Sequence, residues 1–212
     1  MKWGIRMNRV IGKIGAAITG IAVLLFAVSM IFGLFTNTVF YSCLSSIFIA
    51  IGFVLFIVSL YSINSSKEKS AVGLSSIAFA IIYAVIIFLV YYAECTTIRM
   101  NNNLSEEALS IISYGQIGSL FFNYDLLGYA FMGLSTFLIG FTIEPQDKGD
   151  KIFGRLLWIH GMFFISCLIV PMFPVFVAGT SNVPGTVLLE VWCAYFLSIC
   201  ILGYSYFNKR IE

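Results

Sequence analysis

Charged residues are scarce in this sequence. Asp, Glu, Lys and Arg together make up 10% of the 212 residues, whereas 60% of the residues are hydrophobic. Soluble globular domains contain about 25% charged residues. A chain of this composition cannot cover its surface with polar groups, so the composition excludes an ordinary soluble domain and predicts an integral membrane protein. Nothing in the sequence favours a nucleic-acid partner.

The sequence also lacks the motifs of established chemistries. It contains no G-x-S-x-G, H-E-x-x-H or Walker loop, each of which places reactive groups at a fixed spacing. Its five cysteines show no C-x-x-C spacing and it has one histidine, so we expect neither a metal nor a cofactor. These absences favour a non-enzymatic protein and leave an enzyme as the less favoured class.

Apolar residues form six long runs. A helix needs about 20 apolar residues to cross about 30 Å of hydrocarbon, and the runs are too long for barrel strands. The sequence therefore predicts an all-α integral membrane protein, organised as one domain over residues 1–212. We expect a six-transmembrane-helix bundle with spans at about 10–35, 39–62, 71–93, 119–143, 152–177 and 185–207.

Lys and Arg lie almost entirely on one side of the predicted membrane. Of the 12 basic residues, 11 precede or open the first span, follow the sixth, or fall at the second-to-third connection and between or just inside the fourth and fifth spans. Cytoplasmic loops carry the excess of Lys and Arg, so both termini are expected in the cytoplasm. This orientation makes the outer face net negative and predicts a cell membrane, that of a bacterium, as the location. Topogenesis explains the inner cations, with binding of anionic lipid as the alternative.

The longest polar interruption runs from Glu94 to Asp125, between the third and fourth predicted spans. Ser105 is a favourable N-cap, and Glu106 and Glu107 follow it in the first turn, where the helix dipole favours anions. Gly115 is a plausible end of the helix. The pattern predicts a short amphipathic outer helix in this segment.

Several groups in the outer half could bind a ligand. Glu94 and Asp125 end the third and fourth spans, and Glu190 lies about 9 Å deep in the sixth. If the helices are neighbours, these carboxylates rim an outward-facing vestibule whose negative potential suits a cationic or polar ligand. The alternative is that the acids are simply solvated and the tyrosines form an interfacial belt. The predicted ligand-binding residues are Glu94, Asp125, Glu190, Tyr91, Tyr92 and Arg99.

His160 lies in the fifth predicted span and would be the general base if the protein were an enzyme. A base needs a hydroxyl or carboxyl partner from another helix, and Tyr83, Ser135 and Thr136 lie at compatible depths. A neutral imidazole that ties two helices together is the alternative. Pro171 and Pro174 predict a kink in the outer half of the same span.

Three functional hypotheses follow. The first is a membrane protein whose outer vestibule binds a small polar or amphipathic ligand for sensing or transport. The second is an intramembrane lipid-modifying enzyme that uses His160. The third is a scaffold or immunity-type subunit that packs against a membrane protein partner in the bilayer.

Overall fold

The computed structural model describes residues 2–36, 39–64, 66–101, 103–173 and 183–210, with the side chains of residues 2–5 outside that description. Within these ranges the regular structure is entirely helical, as the sequence predicts. The α-helices are α1 (Lys2–Thr36), α2 (Phe40–Asn64), α3 (Ser70–Ala93), α4 (Glu106–Ile112), α5 (Leu120–Gly140), α6 (Lys148–His160), α7 (Met162–Ile169) and α8 (Val183–Lys209).

Five helical stretches are long and apolar enough to cross a membrane. They are Arg6–Thr36, Phe40–Asn64, Ser70–Ile98, Lys148–Met172 and Val183–Lys209. The fourth predicted span, which corresponds to α5, does not reach the same hydropathy because its first two turns carry Asn123 and Asp125. Five long apolar helices are compatible with a multi-pass membrane protein.

The long helices close into a ring. Helix α1 packs between α8 and α2, α2 packs on α3, α3 on α5, α5 on α6 and α7, and α6 on α8. Large apolar side chains cover the outside of this ring, for example Leu25, Leu89 and Val191, each more than half exposed. The inside is aromatic, with Phe53 at 5.3 Å from Tyr83, ring centre to ring centre. An apolar exterior around a packed interior is what a lipid-facing bundle requires.

Two glycines allow α1 and α2 to approach closely. A Cβ atom built on Gly15 would lie 2.6 Å from the backbone nitrogen of Phe56, and one on Gly52 would lie 2.7 Å from the backbone nitrogen of Thr19. Neither backbone can retreat from such a contact without moving its helix. The α1–α2 interface is therefore built on backbone-to-backbone packing, which membrane helices favour.

The fifth predicted span is interrupted at Pro171, as the sequence indicates, and also at a residue that the sequence does not indicate. Helix α6 ends at His160 and α7 begins at Met162, so the break falls at Gly161, where an added Cβ would lie 2.7 Å from the Phe137 side chain. Pro171 lies in a short 3-10 turn, Val170–Met172, at the end of α7. Pro174 and residues 175–177 lie outside the described residues.

The short helix predicted between the third and fourth spans is present and begins where predicted. The Ser105 side chain accepts a hydrogen bond from the Ala108 N–H at 3.2 Å, and Glu106 and Glu107 occupy the first turn of α4. The helix ends at Ser113, before Gly115. The chain then turns into α5 through Gly118, whose φ of 83° lies in the region that glycine adopts most easily.

Candidate functional site

Asp125 lies inside the bundle, between α3 and α5. It is 6% exposed, and its Oδ1 atom makes no hydrogen bond within the described residues. The carboxylate interacts electrostatically with the side chains of Tyr91, Tyr114 and Tyr129. The sequence predicts this acid at the rim of an outer vestibule, whereas the structure sets it among aromatic side chains in the interior.

Three tyrosine hydroxyls near Asp125 resemble its carboxylate in that they interact with one another but make no hydrogen bond of good geometry. Tyr83, Tyr91 and Tyr129 are buried, and none of their hydroxyls makes a hydrogen bond of good geometry in the part of the chain that the structure describes. The Tyr83 and Tyr129 rings lie 5.8 Å apart. Native interiors leave few polar atoms unpaired, and each one costs about 1–3 kcal/mol. We call Asp125, Tyr83, Tyr91 and Tyr129 the tyrosine–aspartate cluster.

Glu94 anchors the segment that covers this cluster. It is buried in a π-helical turn, Glu94–Ile98, that continues α3. Its Oε1 atom accepts hydrogen bonds from the Ser113 hydroxyl at 3.1 Å and from the backbone N–H of Tyr114. The Tyr114 ring in turn packs edge-on against Tyr91 at 5.0 Å. Glu94 therefore holds residues 113–119 over the end of the cluster.

The other three residues expected to bind a ligand lie elsewhere. Tyr92 is 65% exposed on the outside of α3, and the Arg99 guanidinium stacks over the Phe40 ring at 4.1 Å. Glu190 lies on α8, where its carboxylate interacts electrostatically with the Cys193 thiol. Its buried Oε1 atom has no hydrogen-bond partner among the described residues. The structure thus brings Glu94, Asp125 and Tyr91 together around Tyr114. The sequence analysis did not predict Tyr83 or Tyr129 of the cluster, or the adjacent Tyr114, as ligand-binding residues.

His160 joins three helices through both ring nitrogens. The indole N–H of Trp192 on α8 donates to Nε2 at 3.0 Å, and Nδ1 lies 2.7 Å from the Thr136 hydroxyl on α5. Because an indole nitrogen only donates, Nε2 accepts and the proton of the neutral ring is on Nδ1. The Thr136 hydroxyl then donates to the Gly133 carbonyl at 2.8 Å. The Trp192 indole nitrogen, both His160 ring nitrogens and the Thr136 hydroxyl therefore all make hydrogen bonds.

The contacts of His160 support the helix-tying alternative. A general base needs a lone pair free to take a proton from substrate, and the lone pair on Nε2 is occupied by the Trp192 N–H. Thr136 was one of the hydroxyls whose depth matched that of His160. Trp192 was not predicted, although an indole N–H within a span always needs an acceptor when buried.

A second polar group lies at the end of the bundle where α8 finishes. Asp150 is 1% exposed, and its Oδ2 lies 3.3 Å from both terminal nitrogens of Arg210, whereas its Oδ1 lies 3.5 Å from the Lys209 ammonium. Lys209 also pairs with Asp147. The Arg210 guanidinium stacks on Tyr206 at 3.5 Å. These contacts attach the end of α8 to the start of α6.

Two exposed carboxylates near this group have altered pKa values. The hydrogen bond from Lys69 lowers the pKa of Glu144 below its ordinary value, and the hydrogen bond from Lys209 does the same for Asp147. Both acids are at the surface, so water and salt screen these interactions. They stabilise the ionised forms without creating a reactive group.

Comparison of the chain with models of protein families, with curated proteins and with solved structures finds no match. The described residues contain no group of three or more His, Cys, Asp or Glu side chains that could hold a metal ion. The five cysteines are free thiols.

Proposed function

We propose that the protein is a multi-pass membrane protein with six spans and both termini in the cytoplasm. Helix α5, the fourth span along the chain, is the one added to the five long apolar helices. The lower hydropathy of α5 supports a place inside the bundle, because all the Asp, Asn, Ser and Thr residues of this helix except Asn123 are turned inward. Asp125, Ser135 and Thr136 are all buried, and Ser135 exchanges hydrogen bonds with Ser76 on α3. Polar groups that face other helices are tolerated within a bilayer.

The orientation is tested by labelling single cysteines in a cysteine-free variant in intact cells. Ser105→Cys, at the start of α4, is expected to react with a membrane-impermeant maleimide. Ser66→Cys, in the turn between α2 and α3, is expected to react only after the cells are permeabilised. The opposite pattern would invert the proposed topology. Equal labelling of both positions would contradict the proposal that a membrane separates them.

We further propose that the tyrosine–aspartate cluster binds a small cationic ligand, such as an alkylammonium ion, for sensing or transport. The observation that carries this proposal is the convergence of one carboxylate oxygen and three tyrosine hydroxyls, all buried, none of which makes a hydrogen bond of good geometry within the described residues. A carboxylate supplies a counter-charge, and tyrosine faces attract ammonium groups by cation–π interaction. The net negative outer face that the proposed topology creates would draw cations toward this end of the bundle.

Entry of a ligand requires residues 113–119 to move, since Tyr114 covers Tyr91. This segment contains Gly115 and Gly118, and it is held to the bundle through Glu94. Short covering segments of this kind open on microsecond to millisecond timescales in other proteins. Glu94 would therefore control access, whereas Asp125 would bind.

The test is a thermal-stability titration of the purified protein with ethylammonium and tetramethylammonium. A ligand that binds the folded state raises the melting temperature with concentration. Asp125→Asn is expected to weaken the apparent affinity at least about tenfold, because a hydrogen bond to a charged group is lost. Glu190→Gln is the matched control, since it removes a carboxylate from a helix outside the cluster.

Two results would overturn the ligand proposal. One is the absence of any stabilisation of the wild-type protein by either ammonium ion up to the solubility limit of its salt. The other is an Asp125→Asn variant that binds as tightly as the wild type. Tyr91→Phe and Tyr129→Phe, which remove one hydroxyl each and keep the ring, then distinguish binding through hydroxyls from binding through aromatic faces alone.

A further inference from the structure

A cleft of about 290 Å³ opens between the end of α5 and the first turns of α6. Two glycines, Gly140 and Gly154, form part of its wall. A Cβ atom on Gly140 would lie 3.2 Å from the Trp158 ring, and one on Gly154 would lie 3.5 Å from the Ile143 side chain. Side chains at these two positions would narrow the cleft, so the glycines keep it open.

Two basic side chains line the cleft without a partner. Lys151 and Arg155 are exposed, and neither makes an ion pair or hydrogen bond within the described residues. They are four residues apart on α6, so they lie on one face about 6 Å from each other along the helix axis. The basic residues that close the bundle, Lys209 and Arg210, are by contrast engaged with Asp147 and Asp150.

Asp150 also lines the cleft, but its charge is compensated. Its carboxylate is 2% exposed and is shared between Arg210 and Lys209. An anion in the cleft would therefore meet the two free cations and a neutralised acid. The cleft is electrostatically suited to a negative ligand.

An exposed tryptophan lies further along α6, towards the end of that helix. Trp158 is 50% exposed, and its ring stacks on Phe137 at 5.7 Å and meets Phe141 edge-on at 5.1 Å. It lies three residues after Arg155 and about 10 Å along the axis from Lys151. A charged end and an aromatic end at this separation match the phosphate and the glycerol–acyl region of one phospholipid, where tryptophan is enriched.

We propose that this cleft binds one anionic phospholipid of the inner leaflet, with its phosphate between Lys151 and Arg155 and its upper acyl chain against Trp158 and Phe141. The site rests on the membrane location proposed above but not on the ligand of the tyrosine–aspartate cluster. It differs from the general excess of inner cations, because it requires the cleft and the aromatic wall as well as the charges.

The experiment is native mass spectrometry of the full chain in detergent, with phosphatidylglycerol and phosphatidylcholine added in equal amounts. We expect retention of one phosphatidylglycerol in preference to phosphatidylcholine. The double variant Lys151→Gln/Arg155→Gln should weaken this retention about thirtyfold at low salt. Each basic side chain near an anionic lipid strengthens binding about fivefold, and the variant removes two of them. The control is Lys67→Gln/Lys148→Gln, which removes two exposed cations outside the cleft and should keep the lipid.

A second variant keeps the proposal testable if the double variant does not fold. Gly154→Leu fills the cleft and leaves both charges in place, so it should also lose the lipid. The site would be overturned if Gly154→Leu and the control Lys67→Gln/Lys148→Gln lost phosphatidylglycerol equally. It would also be overturned if both Gly154→Leu and Lys151→Gln/Arg155→Gln retained it.

Inorganic phosphate distinguishes a lipid from a free anion. If phosphate alone is the ligand, adding it should displace phosphatidylglycerol and Trp158→Ala should leave its binding unchanged, which would overturn the lipid assignment. If a phospholipid is the ligand, Trp158→Ala should weaken retention while phosphate competes poorly. Asp125→Asn should leave the lipid bound in either case, so failure of this site and failure of the cationic-ligand site give different results.

Discussion

The Trp192 indole N–H points at Nε2 of His160 from 3.0 Å. This contact assigns the proton of the neutral imidazole to Nδ1, which faces the Thr136 hydroxyl. A protonated ring would direct a second N–H at the indole N–H, so the environment favours the neutral form. The only histidine of the chain is in this way a structural connection between α5, α6 and α8.

Replacing Trp192 by Phe should destabilise the protein by about 1–3 kcal/mol, because Nε2 of His160 would be left buried without a donor. Thermal unfolding in detergent measures the change. Trp158→Phe is the control, since that indole is half exposed and its ring contacts are retained by Phe. Equal melting temperatures for the two variants would show that the indole–imidazole hydrogen bond contributes nothing.

The helices were largely predictable from the sequence, because long apolar runs and local end signals decide where they begin and end. The predicted start of the fourth span at 119 lies one residue from the observed Leu120, and Ser105 caps α4 as its position indicated. Such features depend on residues close together in the chain. The break at Gly161 has no signal in the neighbouring sequence, and the contact that leaves no room for a side chain there is with Phe137, on another helix.

The site was less predictable, because it depends on how each helix is rotated about its axis. Glu94 and Asp125 were recognised as unusual, but the sequence could not show that Glu94 would bind the Tyr114 backbone while Asp125 would face tyrosines. Depth along a helix can be counted from the sequence, which is how Thr136 was matched to His160. The rotation of a helix is set by the packing of side chains from several helices, so the sequence of one helix does not determine it.

Replacing Glu94 by Ala should release residues 113–119 from the bundle. The carboxylate holds the segment through Ser113 and the Tyr114 N–H, and a hydrogen bond to a charged group contributes about 1.5–3 kcal/mol. Amide hydrogen exchange at Tyr114 should therefore become about 10–100-fold faster. Glu107→Ala, which alters an exposed acid of α4, should leave this exchange rate unchanged; a similar increase in both variants would contradict the anchoring role.

Removing the charge of Arg210 should be among the more damaging changes at the polar end of the bundle. Arg210→Gln leaves Asp150 buried with only Lys209 as a charged partner at 3.5 Å, and breaking a buried ion pair costs about 3–5 kcal/mol. We expect a loss near 3 kcal/mol in chemical unfolding in mixed micelles, because Lys209 compensates in part. The control Lys69→Gln breaks an exposed pair with Glu144 and should cost at most about 1 kcal/mol. Equal losses would mean that Asp150 is not the anchor of α8.

The closest backbone approach at the α1–α2 interface gives the last prediction. Gly15→Ala places a methyl group 2.6 Å from the Phe56 nitrogen and 2.9 Å from the Gly52 carbonyl oxygen, so the helices must separate. Overpacking of this kind costs about 1–3 kcal/mol, although alanine is the better helix former by about 1 kcal/mol. Because the nearest atoms belong to the backbone and cannot yield cheaply, overpacking should be the larger effect, and Gly15→Ala should lower the melting temperature in thermal unfolding.

Gly185→Ala is the matched control for this substitution. Gly185 also lies in a helix, but none of the described residues comes within 4 Å of the position its Cβ would take. The change should leave the melting temperature unchanged or raise it slightly, since only helix propensity acts there. If Gly15→Ala stabilised the protein as much as Gly185→Ala does, α1 and α2 would have room between them, and backbone contact could not be what holds the interface together.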